Sequence, residues 1–281
     1  MFKIKKKSSV APMIALVSSL MLSTAIAGEK GHHDHSHDHA SDTGEVCQGY
    51  AGQTPRDIDS KIGTNPVKFS LAPASTEMNL CNIHFHENAE HKAKDFSIFA
   101  GKGNQAGYQC GISKTLSKAE LKAPKGEICK GLTPGDTIEV HWVHTSCDVA
   151  PGPGLGSCLS DACANPDLRV ETQVFTLVND SNALDFNDLS YDGNQANGFH
   201  QPKALPTNTG IPVEFMGSTT GPKYTAQACS PLQVTWSVRP QCAKLDINTI
   251  GKWCESNVFN EDHAHGVRKL VTDPRLLAPI K

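Results

Sequence analysis

The stretch Cys81-Asn82-Ile83-His84-Phe85-His86-Glu87-Asn88-Ala89-Glu90-His91 decides the fold, together with a later one that answers it, Ile138-Glu139-Val140-His141-Trp142-Val143-His144. Both read as extended strands bounded by polar residues. Side chains of a strand alternate faces, so His84 and His86 project from one face and Ile83 and Phe85 from the other. In the second stretch Glu139, His141 and Val143 share a face, while Val140, Trp142 and His144 point the opposite way. If the two strands lie close in one sheet, His84, His86 and His141 converge on one point. Three neutral imidazoles with an open fourth position make a catalytic zinc site rather than a closed structural one. A lone strand histidine is usually a hydrogen-bonded structural group; a His-x-His pair answered by a third His in an apolar strand is a metal pattern.

Upstream, residues 1–27 read as a secretory signal. Lys3, Lys5, Lys6 and Lys7 form a positive start, an apolar run follows through Leu22, and Ala25-Ile26-Ala27 supplies a small-x-small cleavage site. The run is short for a membrane span and contains Ser18, Ser19, Ser23 and Thr24. Export to the periplasm or beyond is expected, with no membrane attachment after cleavage. All ten cysteines lie past residue 27, an even number that in an exported chain predicts disulfides without fixing their connectivity. No CxxC pair assigns them to metal. The formal net charge of −3 gives no basis for a nucleic-acid or anionic-membrane partner.

Residues 28–46 form a biased tract, Gly31-His32-His33-Asp34-His35-Ser36-His37-Asp38-His39 at its centre, too poor in apolar residues to build a core and expected to be disordered. Its histidines (His32, His33, His35, His37, His39) suit weak binding of zinc, nickel or copper. The tract is either an accessory arm that feeds the downstream site or a solubilising spacer.

Residues 47–281 have the texture of one β-rich domain. Strands are expected over Val67 to Leu71, Leu80 to His86, Phe96 to Ala100, Thr137 to His144, Val170 to Val178 and Leu232 to Val238, between clusters of Gly, Pro, Asn and Asp. Two short stretches are expected to be helical, Lys114 to Leu121 and Asp246 to Cys254. The Gly- and Pro-rich segment from Asp148 to Pro166 is a loop pinned by Cys147, Cys158 and Cys163, a candidate wall of the site or a stapled surface loop.

Here the chain resembles a known family. His84-Phe85-His86, Ala89-Glu90-His91 and the strand Glu139-Val140-His141-Trp142-Val143-His144 look like the α-type carbonic anhydrase pattern HFH, SEH and ELHLVH. Gln53-Thr54-Pro55-Arg56-Asp57-Ile58 is similar to that family's QSPIDI, Gly217-Ser218-Thr219-Thr220 to its GSLTTP loop, and Val234-Thr235-Trp236 to the returning strand. The wording Cys-Asn-Ile-His-Phe-His-x-Asn-Ala-Glu-His and the cysteine-bearing Pro-Gly loop look more like the δ-class carbonic anhydrases, which have diatom and bacterial members. The resemblance implies a mainly β fold with a central, largely antiparallel sheet like that of the α-class enzymes, few short helices and disulfide support. It implies reversible hydration of carbon dioxide to bicarbonate and a proton by zinc-bound hydroxide. His84, His86 and His141 would hold one catalytic Zn2+, with other divalent metals possible, and Glu139 would orient a ligand ring. Glu90 would anchor a hydroxyl supplied by Thr219 or Thr220, with Ser230 as the alternative. The sequence departs from the α pattern there, with Gly221-Pro222 after the threonines and a longer insert before Val234. His91 and His144 would be structural. A proton shuttle at the cavity mouth would be His200, with His263 and His265 as alternatives. Oligomeric state is not implied.

Two other functions fit parts of the pattern. His84-x-His86-x-x-x-Glu90 matches the first metal motif of cupins, in which Glu90 would itself be a metal ligand. A periplasmic zinc-buffering protein without catalysis would bind zinc mainly through His32 to His39.

Overall fold

The computed structural model describes residues 46–101, 106–126, 128–221, 223–268 and 271–281. The expected signal segment and the histidine-rich tract from His32 to His39 lie outside the described residues. Residues Gly44–Lys281 belong to one compact unit. Among the described residues no helix is long and apolar enough to cross a membrane.

The fold is mainly β. In chain order the strands are β1 (Asn79–Glu87), β2 (Phe96–Phe99), β3 (Tyr108–Cys110), β4 (Thr137–Thr145), β5 (Leu168–Val178), β6 (Gln195–Ala196), β7 (Phe199–His200), β8 (Val213–Ser218), β9 (Gln233–Val238), β10 (Ala243–Asp246) and β11 (His265–Gly266), with helix α1 (Ile247–Glu255) between the last two. The central sheet has the order β11-β1-β4-β5-β9-β8, and β10 also pairs with β5. The extensive pairings β1–β4, β4–β5 and β8–β9 are antiparallel, whereas the shorter contacts of β11 with β1 and of β9 and β10 with β5 are parallel. The sheet is therefore mixed but largely antiparallel by length.

The central strands are buried along their whole length, and each face of the sheet carries its own core. One face presents Ile83, Phe85, Val140, Trp142 and Phe175 to α1 and to the turn Phe186–Asp188. α1 starts where the Asp246 carboxylate accepts from the Asn248 amide, and it buries Ile247, Ile250 and Trp253 at helical spacing. Trp253 meets Phe186 and Phe85 edge-on or tilted, at centroid distances of 5.0 and 6.2 Å. The other face carries Val143, Val170, Val174, Val234 and Trp236.

All ten cysteines pair, as Cys47–Cys229, Cys81–Cys158, Cys110–Cys242, Cys129–Cys254 and Cys147–Cys163. Four of the five join positions 77 to 182 residues apart, so they constrain the unfolded chain strongly.

Two expected elements are absent. Val67 to Leu71 forms no strand. Val67 and Leu71 are 40% and 50% exposed and pair with no strand among the described residues. Lys114 to Leu121 forms no α-helix: a 3-10 turn over Gly111–Thr115 is followed by a separate turn. Ser117 and Glu120 do exchange the two bonds of a capping box, but Pro124 and Gly126 follow too soon for a helix to grow from it.

Candidate metal centre

The β1–β4 register places His84 directly opposite His141 and His86 opposite Glu139. One nitrogen from each of His84, His86 and His141 falls in a group whose members all lie within 4.8 Å of one another. The outer nitrogens are tied to acceptors. Asn82 donates through Nδ2 to the Gly152 carbonyl, so its Oδ1 faces His84 and accepts from Nδ1 at 2.7 Å. The Gly266 carbonyl accepts from His86 Nδ1 at 3.3 Å. The Glu139 carboxylate accepts from His141 Nε2 at 2.7 Å. Each ring thereby turns its other nitrogen inward. His84 Nε2 and His141 Nδ1 lie 3.2 Å apart, so that when both rings are neutral with their outer nitrogens protonated, lone pair faces lone pair. That repulsion is relieved by a shared cation, and an all-imidazole donor set suits zinc.

The electrostatics favour neutral rings at His84 and His86. Burial, then the neighbouring His141 and His86, holds His84 well below the ordinary histidine pKa; the Arg268 guanidinium adds to this. Burial pushes His86 down to about 4 against the opposing pull of Glu90. Burial would raise the Glu139 carboxyl, but the charges and hydrogen bonds of His91 and His141 outweigh it and hold the pKa well below the usual carboxylate range. Glu139 is fully buried and also takes the His91 ring at 2.7 Å and the His91 amide at 2.9 Å. His91, stacked edge-on against Trp236 at 4.8 Å, is thus bound to the carboxylate that positions His141. His144 lies sealed on the opposite face, its Nδ1 on the Trp142 carbonyl.

Glu90 is also fully buried, with Oε2 at 3.7 Å from His86 Nε2 and Oε1 without a hydrogen-bond partner among the described residues. It is not part of the convergent nitrogen group, unlike the ligand carboxylate of a cupin. No hydrogen bond joins it to Thr219 or Thr220 among the described residues. The Thr219 hydroxyl instead pairs with that of Ser230 at 2.6 Å, and Gln53 fixes Ser230 by accepting from its amide.

A cavity of about 240 Å³ opens over the three histidines. Thr219 and Thr220 line one side; Val143, Val170 and Trp236 form its floor. Leu155, Cys158 and Leu159 bring the Gly-Pro loop in as a wall. That loop is clamped by Cys81–Cys158 and Cys147–Cys163, by Gly152 donating to the Cys81 carbonyl, and by Ser157 doing the same through Oγ. The C-terminal segment adds Glu261, His265 and Arg268. His265 pairs with His86 across β1–β11, its ring 5.9 Å from that of His84 and its Nε2 2.8 Å from Glu261. His200 is not among the cavity's lining residues; its Nδ1 meets the Tyr191 hydroxyl at 2.8 Å. His263 is exposed beside Asp262. Asn82, Glu261 and Arg268 were missed from the sequence. Asn82, two residues before His84, had a readable signal, whereas Arg268 had none.

The sequence model of the delta carbonic anhydrase family matches residues 75–249, more than half of the chain. The chain belongs to the delta carbonic anhydrase family. It is therefore a carbonic anhydrase, an enzyme whose substrate is carbon dioxide, and its disulfides are consistent with an exported protein. No curated protein matches this carbonic anhydrase. Among solved structures it is similar to an α-carbonic anhydrase from Thermovibrio ammonificans in complex with the inhibitor sulfanilamide, at 18% identity and a TM-score of 0.26, over 79% of this chain and 87% of that one. The family match includes the three histidines, Glu90, Glu139 and Thr219, and ends before Glu261, His265 and Arg268.

Proposed function

We propose that this enzyme hydrates carbon dioxide reversibly with one zinc ion held by His84 Nε2, His86 Nε2 and His141 Nδ1. The observation that carries this is the inward convergence of three ring nitrogens whose opposite nitrogens each meet an acceptor. When bound by three neutral ligands, zinc keeps its charge and lowers the pKa of a coordinated water to about 7, so that hydroxide is available at neutral pH.

The protein's groups do the rest. Glu139, accepting from Nε2, turns His141 Nδ1 toward the other two rings and stiffens its orientation. Glu90 Oε1, without a hydrogen-bond partner among the described residues, is an acceptor for a hydroxyl that thereby presents its lone pairs to the cavity. Thr219, braced by Ser230, and Thr220 are the wall hydroxyls assigned to that role. Val143 and Val170 offer an apolar surface to the uncharged substrate. The proton leaves through His265, which lines the cavity and is oriented by Glu261, rather than through His200. Residues 1–27 direct export, the domain from residue 47 carries the site, and the tract of His32, His33, His35, His37 and His39 is an accessory metal-binding arm of a periplasmic enzyme.

The test is stopped-flow carbon dioxide hydration by the mature chain with and without residues 28–46, with metal content measured in parallel. One zinc per chain and rapid hydration in both forms, each lost in His141→Ala, is the expected result. Tight zinc without hydration would sink the assignment, and bound iron or manganese without hydration would return the chain to cupin chemistry.

A further inference from the structure

The reaction interconverts a neutral molecule and an anion, so a group that discriminates between them must carry charge. Arg268 lines the cavity of the three histidines, together with Leu155, Leu159 and Leu232 from the surrounding walls. Its backbone is fixed at both ends, the amide lying 3.5 Å from Glu90 Oε2 and the carbonyl accepting from Arg56 Nη2 at 2.5 Å. Among the described residues its guanidinium has neither an ion-pair nor a hydrogen-bond partner. Among the described residues the cavity wall carries one carboxylate, Glu261, and it is engaged by His265 Nε2 at 2.8 Å. A partly buried guanidinium beside apolar side chains gives up hydration with no internal compensation, and its five planar donors match an oxyanion that offers two oxygens in one plane.

We propose that Arg268 is an anion-docking residue that holds bicarbonate in the cavity beside the histidine cluster, as departing product in hydration and as arriving substrate in dehydration. This deepens the carbonic anhydrase assignment above and rests on it for the identity of the anion. Carbon dioxide, with no charge, is passed over by the guanidinium and received by the apolar wall; bicarbonate takes the fork. Arg268 enters from the segment after β11, beyond the family-matched residues, so the site is a feature of this chain's C-terminal segment.

The equilibrium constant ties kcat/KM for hydration to kcat/KM for dehydration, so their ratio cannot report on docking. The inhibition constant of bicarbonate against hydration can. In the full chain Arg268→Gln should raise it about tenfold, the loss expected for a charge-assisted hydrogen-bonded pair, and Arg268→Lys should recover part of it through charge without the fork. Broadening of the 13C-bicarbonate resonance by zinc-stripped protein gives a second readout and should vanish in Arg268→Gln. If the Gln variant melts without a cooperative transition, the Lys variant carries the test, with a rise of a fewfold expected. An unchanged inhibition constant and unchanged broadening would overturn the docking site. Broadening that depends on Arg268 in a protein that does not hydrate carbon dioxide would support the anion site while sinking the assignment of activity.

Discussion

His141 and His144 stand three residues apart on β4 and have opposite fates. His141 faces a cavity, gives Nε2–H to Glu139 and aims its other nitrogen at His84. His144 is sealed on the far face with its Nε2 unpartnered among the described residues. The strand does not distinguish them; the layers on its two sides do. Toward His144 and Trp142 the sheet is covered by α1 and close-packed aromatics. Toward His141 a clamped loop and the C-terminal segment stand back and leave a cavity. The same residue type is a prospective metal ligand where a cavity opens beside it, and a structural group where the packing closes over it.

The sharpest way to break this contrast is to remove a ring from the open face. His84→Ala or His141→Ala should lose stoichiometric zinc and reduce hydration by roughly 10³-fold or more, read by metal analysis and stopped flow, because two imidazoles no longer hold the ion in a three-ligand site. On the sealed face the outcome should invert. Phe85→Ala, at a fully buried position, should cost about 3–5 kcal/mol in chemical unfolding while the rate per folded, zinc-loaded molecule stays near that of the parent.

His144 itself offers the next test. Burial, opposed by Glu171, lowers its pKa from 6.5 to about 4. The unfolded chain therefore takes up this proton at a higher pH than the folded one, so the contribution is fully present above pH 6.5 and is lost as pH falls toward 4. His144→Gln should flatten that acid limb by about 2 kcal/mol, seen by comparing urea unfolding at pH 7 and near pH 4.5. The smallest effect is expected one shell out from the metal. Glu139→Gln keeps the shape but weakens the acceptor for His141 and His91, and should lower zinc affinity about 10–100-fold in competition with a chelator.

Local alternation placed the histidines and Glu139 on the strands where the structure has them. The period of Leu80 to His86 and of Thr137 to His144 put His84, His86, Glu139 and His141 on one face, and β1, β4 and their register have that arrangement. The helix expected over Asp246 to Cys254 appears as α1, since its cap and its apolar spacing are both local signals. Val67 to Leu71 and Lys114 to Leu121 carried equally good local signals and formed neither strand nor helix, for want of a partner strand in one case and of chain length before Pro124 in the other. Of the hydroxyls expected beside Glu90, that of Thr219 meets that of Ser230. His200 and His265 were nearly indistinguishable as sequences. Only pairing of β11 with β1 brought His265 to the cavity, while His200 turned to Tyr191.

By itself, then, the sequence determined the residue types, the faces they occupy and the family to which their order belongs, because a two-residue period and a set of motifs are properties of neighbours along the chain. The tertiary structure decided the opposition of His84 and His141, the cysteine pairing, the cavity wall and the arrival of Glu261, His265 and Arg268. Those depend on contacts between segments far apart in the chain, and the burial and field at each group exist only once the segments have met.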